Sequence, residues 1–155
     1  MKGKVVSTPL LSQNTKRSVA ETCVHFNLKR SVRVITQQFN AALSQNGLHI
    51  TQFTLLVTSS LCGTMSLTEL AERLALDRTT LTRNLKPLEQ KGLLHITVSD
   101  HDGRVHLVEI TADGEALLAH SYPLWQSVQE ELIQVFNHEN YQSFLAQLKR
   151  LEACT

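Results

Sequence analysis

The sequence predicts a mainly α fold: a winged helix-turn-helix with long N- and C-terminal dimerisation helices and one two-stranded β-hairpin wing. Three observations predict it. Residues 66–92 carry two short leucine-striped segments joined by a tight turn. Two apolar-rich strands, Leu94–Val98 and Val105–Ile110, flank the charged turn Ser99-Asp100-His101-Asp102-Gly103. Outside this unit the apolar residues recur at helical spacing over long stretches, wider than a winged helix needs for its own core.

Residues 1–17 are polar and mixed and read as a loosely ordered, flexible N-terminal segment. A long helix is expected from about Ser18 to Gln45, with Val24, Leu28, Val32, Ile35, Phe39 and Leu43 as its stripe and Lys29, Arg30, Arg33 and Gln37 off it. Asn46-Gly47 stops it. Thr51 is placed to cap a helix through Leu61 that ends at Gly63. Ser66 with Glu69 forms a capping box for the next helix, whose apolar face is Leu67, Leu70, Ala71 and Leu74. Ala75 and Leu76 make the turn, and Asp77 caps the second helix. That helix buries Leu81, Leu85 and Leu88 and ends at Gly92. Pro87 removes one N–H from it, which predicts a slight bend. Thr111, with Asp113 in the first turn, opens another long helix, in which Pro123 predicts a kink or short break. Asn137 caps a last helix carrying Tyr141, Phe144, Leu145, Leu148 and Leu151. The expected organisation is residues 18–46 and 111–155 for dimerisation and 48–110 for the winged unit. Burial of the terminal stripes against a copy of the chain is one solution, and an intramolecular three-helix subdomain is the other.

At about 100° per residue, Thr79, Arg83, Lys86 and Gln90 lie furthest from the Leu81–Leu88 stripe, flanked by Thr80 and Thr82. None is acidic or bulky and apolar. Cations for phosphates, with donors and acceptors for base edges, are what a major groove requires. Overall charge is only +1 in 155 residues, so it announces no polyanionic partner. Its distribution says more: net +6 over residues 1–33, −2 over 34–77, +2 over 78–104 and −5 over 105–155.

Other classes find little support. Cys23, Cys62 and Cys154 have no metal-binding spacing, and the seven histidines include no H-x-x-x-H pair, so no metal and no cofactor are expected. No P-loop, nucleophile elbow or paired carboxylates point to an enzyme. No signal peptide or membrane-spanning stretch is read, which predicts a cytoplasmic protein with reduced thiols. The rival reading is a winged-helix module for protein–protein assembly that does not bind DNA. It would put apolar or acidic residues where Thr79, Arg83 and Lys86 stand.

The ordered motifs resemble the multiple-antibiotic-resistance regulator (MarR) family. They are L-x-x-T-Q-F-T-L-L from Leu48, S-L-T-E-L-A-E-R-L from Ser66, T-L-T-R-N-L from Thr80, L-E-Q-K-G-L-L from Leu88 and L-V-E-I-T-A-D-G from Leu107. The resemblance spans roughly residues 20–150. It implies an obligate homodimer on double-stranded DNA at pseudo-palindromic operators, usually a repressor relieved by a small ligand or an oxidant. Thr80, Thr82 and Arg83 fall on the family's recognition-helix motif and Arg104 on its last wing arginine. The family wing often reads Asp-x-Arg-Asp-x-Arg, so here His101 stands in place of the tip arginine and Ser99 in place of an aspartate. The candidate DNA-facing set is therefore Arg78, Thr79, Thr80, Thr82, Arg83, Lys86, His101 and Arg104. Asp102 either pairs with Arg104 to shape the wing or is a plain turn residue. Hydroperoxide-sensing members carry a reactive cysteine in the helix where Cys23 lies, with Cys154 of the second subunit as its candidate resolving thiol; small buried apolar residue is the other reading of Cys23. For an aromatic effector, Phe26, Phe39 and Trp125 are the candidate lining of a cleft, with core packing as their other role.

Overall fold

The computed structural model describes residues 10–136 and 138–153. They form seven α-helices and three short strands: α1 Gln13–Thr22, α2 Val24–Leu43, α3 Ile50–Cys62, β1 Met65–Ser66, α4 Leu67–Arg73, α5 Arg78–Gln90, β2 Leu94–Val98, β3 His106–Ile110, α6 Ala112–Phe136 and α7 His138–Glu152. A 3-10 turn, Ser44–Asn46, joins α2 to α3. The described chain divides into two compact units at Gln37.

In the first unit, a helix already begins at Gln13, within the stretch expected to be flexible. Ser12 caps it, its hydroxyl accepting from Thr15 N at 3.1 Å. The expected continuous helix from Ser18 breaks at Cys23, where the backbone turns extended. The break is locally satisfied: Asn27 Nδ2 donates to the carbonyl of Glu21 (3.1 Å) and to that of Cys23 (3.0 Å), which also accepts from Asn27 N (3.1 Å). Apolar spacing runs straight through this point and gives no sign of it.

The second unit is built around one cluster of leucines. Leu70 of α4, Leu81, Leu85 and Leu88 of α5, Leu55 and Leu56 of α3, Leu94 of β2 and Val108 of β3 are all buried. Helix α4 starts in the expected capping box: Ser66 Oγ accepts from Glu69 N (3.2 Å) and the Glu69 carboxylate accepts from Ser66 N (2.8 Å). Hydrogen bonds from Ser66 hold the Glu69 carboxyl below its usual range. Helix α4 ends in a Schellman turn, with Leu76 N donating to Ala71 O (2.9 Å) and Ala75 N to Glu72 O (3.1 Å). The equivalent left-handed residue after α5 is Gly92, but here it is Ala75, at φ 49°. A Cβ there is strained.

Strands β2 and β3 pair antiparallel from Leu94↔Ile110 to Val98↔His106. The sheet has a third strand that the sequence reading did not include: β1 pairs with β3 through Met65↔Val108 and Ser66↔Leu107. Two residues are too few to show a strand period. Helix α3 begins at Ile50 rather than at a Thr51 cap: His49 is the N-cap residue, its N–H donating to Gln52 Oε1 (3.1 Å), and Ile50 N donates to Asn40 Oδ1 of α2 (2.7 Å). Pro87 and Pro123 sit inside unbroken helices, α5 and α6. The expected cap Asn137 lies outside the described residues.

At the junction of α5, β3 and α6, Thr111 Oγ1 accepts from Gly114 N (3.0 Å) and donates to Gly92 O (2.7 Å). Gly114 is fully enclosed: a Cβ there would fall on the Leu93 carbonyl oxygen and 2.7 Å from Ile110 Cγ1. Beyond it α6 buries only Ser121 and Val128. None of residues 139–152 in α7 is buried.

Candidate nucleic-acid interface

Helix α5 is anchored by its apolar stripe and presented by its cap. Asp77 accepts from Thr80 N (2.8 Å) and from the Thr80 hydroxyl (2.7 Å). These bonds hold the Asp77 carboxyl below its usual range, the hydroxyl bond foremost. Thr80 is thus half-buried with its hydroxyl proton committed to the cap. Thr82 gives its hydroxyl proton to Arg78 O (2.8 Å), and Asn84 Nδ2 donates to Thr80 O (2.8 Å). Arg78, Thr79, Arg83 and Lys86 are exposed. Among the described residues none of the three cations makes an ion pair. The helix therefore offers a rigid row of cations with Thr79 between them, in a backbone held from inside by leucines that are 1% exposed. A protruding helix of this kind meets both needs of groove recognition: charge for phosphates and forked donors for base edges.

The wing is closed by its own short-range bonds. Ser99 N donates to Val105 O (2.9 Å), Val105 N to Asp102 O (2.9 Å) and His101 N to Ser99 Oγ (3.2 Å). Arg104 lies against Asp102 through Nε (3.1 Å), Nη2 (3.0 Å) and its backbone N–H (3.0 Å). The pair holds the Asp102 carboxyl below its usual range and raises the Arg104 guanidinium. Asp102 thus both makes the turn and fixes Arg104, which keeps three of its five N–H donors for another partner. His101 is exposed at the tip.

The aromatic residues divide. Trp125 of α6 stacks with Phe39 of α2 (centroids 6.4 Å apart), Phe53 of α3 (6.1 Å) and Tyr122 (5.9 Å). Phe53, Thr54, Val57, Tyr122 and Trp125 line an open pocket of about 330 Å³ between α3 and α6. Of the expected cleft residues Trp125 lines it, Phe39 packs on Trp125 and Phe26 lies in the first unit, exposed. Phe53, Val57 and Tyr122 were missed. The signal was present, since Phe53/Val57 and Tyr122/Trp125 each stand one helical turn apart. Cys23 is half-buried with a free thiol, and Cys62 is exposed at the end of α3. Cys154 lies outside the described residues.

Comparison with known proteins decides what such an arrangement belongs to. The MarR family model matches residues 48–106, the winged unit. A curated relative, the HTH-type transcriptional regulator MhqR of Bacillus subtilis, is 30% identical over 80% of this chain and 86% of its own length. The chain belongs to the MarR family. It is a transcriptional regulator with relatives solved on DNA. The organic hydroperoxide resistance transcriptional regulator of Bacillus subtilis is 34% identical over 59% of this chain and 63% of its own. Among solved structures, the Mycobacterium tuberculosis regulator MosR in complex with DNA is 34% identical, with a TM-score of 0.72 over 85% of this chain and 98% of its own. In this MarR-family chain no described helix is long and apolar enough to cross a membrane.

Proposed function

We propose that this chain is a homodimeric, sequence-specific regulator of cytoplasmic location that reads a pseudo-palindromic duplex operator, acts as a repressor and is released by an effector. The observation that carries it is the exposed cationic row on α5, Arg78, Arg83 and Lys86, free of ion pairs among the described residues and projecting from a fully packed helix-turn-helix. Arg83 reads a base edge, Lys86 and Arg78 take phosphates, Thr79 and Thr82 lie against the groove floor, and Thr80 orients the helix through Asp77. Arg104, held by Asp102, and His101 are the wing contacts.

Dimer formation is supported by apolar side chains left in the open. Val24 and Val32 on α2, and Val135 and Leu151 on α6 and α7, are between 48% and 79% exposed. Two-fold pairing of such chains places two recognition helices about one DNA turn apart. Release is supported by the Trp125 pocket, whose lining holds no charged residue and suits a small aromatic effector. Oxidation at Cys23 is the other release route. It is supported by likeness to a hydroperoxide-resistance regulator and by the thiol's place at the start of the 20-residue α2. Mild peroxide should then release DNA from the wild type but not from Cys23→Ser; equal release of both rejects the thiol route.

Selection of bound sequences from random duplex DNA tests the main reading. Enrichment of an inverted repeat with half-sites about 10 base pairs apart is expected. Recovery of the starting pool would reject sequence-specific binding.

A further inference from the structure

The wing tip carries the wrong charge for its task. From Val98 to His106 the ionised side chains are Asp100, Asp102 and Arg104, and the guanidinium of Arg104 is turned onto Asp102. With neutral histidines the tip is net −1, a charge that a phosphate surface would repel. Two imidazoles stand in the same segment: His101 at the turn and His106 at the last rung of the ladder, opposite Val98. Both are exposed, and neither side chain has a partner among the described residues. Protonation of both would change the tip from −1 to +1.

Resting on the DNA-binding reading above, we propose that His101 and His106 are DNA contacts that form only in their protonated state, so that the wing engages the duplex in a proton-dependent way. Histidine takes up a proton near pH 6.5, and a neighbouring phosphate favours the charged form. A carboxylate paired like Asp102 stays ionised throughout pH 5.5–8. The surroundings do not compete. The elements packed against the hairpin include α3 and β1, which carry no ionisable carboxylate or cation, α4 with Glu69, Glu72 and Arg73, α5 with Arg78, Arg83, Lys86 and Glu89, and, at Ile110 far from the tip, the start of α6 with Asp113 and Glu115. On the hairpin itself the remaining charge is Glu109, and it stands across the ladder from the third histidine, His95, at the far end from the tip. Glu109 thus stands opposite His95 in the ladder and Val98 opposite His106, while the carboxylates beside His101 are Asp100 and Asp102, the second engaged by Arg104. The recognition helix supplies affinity at all pH values, and the wing adds to it as the pH falls.

The test uses the full-length protein and a duplex recovered by selection at pH 7.5, titrated from pH 5.5 to 8. Wild-type affinity should rise about tenfold or more from pH 7.5 to 5.5, one pK unit of linkage per imidazole corresponding to a tenfold change. The slope of log K against log salt should steepen by roughly one to two over the same range. The His101→Gln, His106→Gln double variant should lose most of this rise, while His95→Gln keeps it. His101→Arg should bind more tightly at pH 7.5, most at A·T-rich flanks, with a smaller remaining rise. A pH-independent wild type, or an undiminished rise in the double variant, overturns the proposal and leaves DNA binding standing. Absence of binding at every pH overturns both.

Discussion

The winged unit and the terminal helices use the same residues at the same spacing and finish differently. In α5 the stripe Leu81, Leu85 and Leu88 is 1% exposed at each position. In α6 and α7 a comparable stripe reaches Val135 at 79% and Leu151 at 48% exposed. The winged unit buries its leucines with Leu43 of α2 and Leu117, Leu118 and Trp125 of α6 added to its own elements, and takes up its helix ends through Ser66, Asp77, Thr111 and the Gly92 turn. The terminal helices close only near Gly114, Ser121 and Val128, where they lie on the winged unit. Helical periodicity announces that a face will be covered, not which chain will cover it. The difference is that the winged unit is covered within the chain, whereas apolar side chains of α6 and α7 stay exposed in it.

The largest break in the comparison is within the core. Leu85→Ala should cost about 2–5 kcal/mol in a denaturant titration, because no solvent reaches the site and the leucine cage cannot collapse far. Val135→Asp should leave the circular dichroism of the folded chain unchanged and instead lower the mass in sedimentation equilibrium toward the monomer. A folded, fully dimeric variant would return Val135 to an ordinary surface role.

Gly114→Ala should destabilise by about 1–3 kcal/mol, since the added methyl meets the Leu93 carbonyl, which is backbone and cannot step aside. A neutral melt would show that α6 is able to move off the α5–β2 corner. Ser59 sharpens the contrast from the other side. Its hydroxyl is buried in α3 without a hydrogen-bond partner among the described residues. Ser59→Ala should be neutral or stabilising, since it removes a desolvated polar group and leaves only a small gap.

The smallest effect concerns the caps. Asp77 and Glu69 have carboxyls lowered in the folded chain, so their contribution is present above the ordinary carboxylate range and is lost as pH falls through the lowered values. Between pH 5 and 8 the melting temperature of Asp77→Asn should run parallel to wild type. The two should converge only below about pH 4, where the carboxylate advantage is gone.

What was legible in the sequence was local. Ser66, Glu69 and Asp77 declare their helices within three residues, and Leu81, Leu85 and Leu88 declare the face of α5 within two turns. The outward cations follow from that face by geometry alone. Much of what was hidden depends on residues far apart in the chain, while the break at Cys23 is local, held by Asn27, and invisible to helical spacing. Asn40 caps α3 from α2, β1 exists only because β3 pairs with it, and the Trp125 pocket joins residues of α3 and α6. Thr80 shows a third case: its place on the helix was readable, but the bond that turns its hydroxyl onto Asp77 was not.

The central claim is that α5 reads sequence through its exposed face. Its most direct test is the affinity of Arg83→Ala for the selected duplex and for a scrambled duplex, beside Lys86→Ala. Arg83→Ala should lose about 1–3 kcal/mol on the selected duplex with the preference between the two flattened. Lys86→Ala should weaken both duplexes alike and reduce the salt slope by about one. Wild-type affinity and preference in Arg83→Ala would contradict the placement of α5 in the groove.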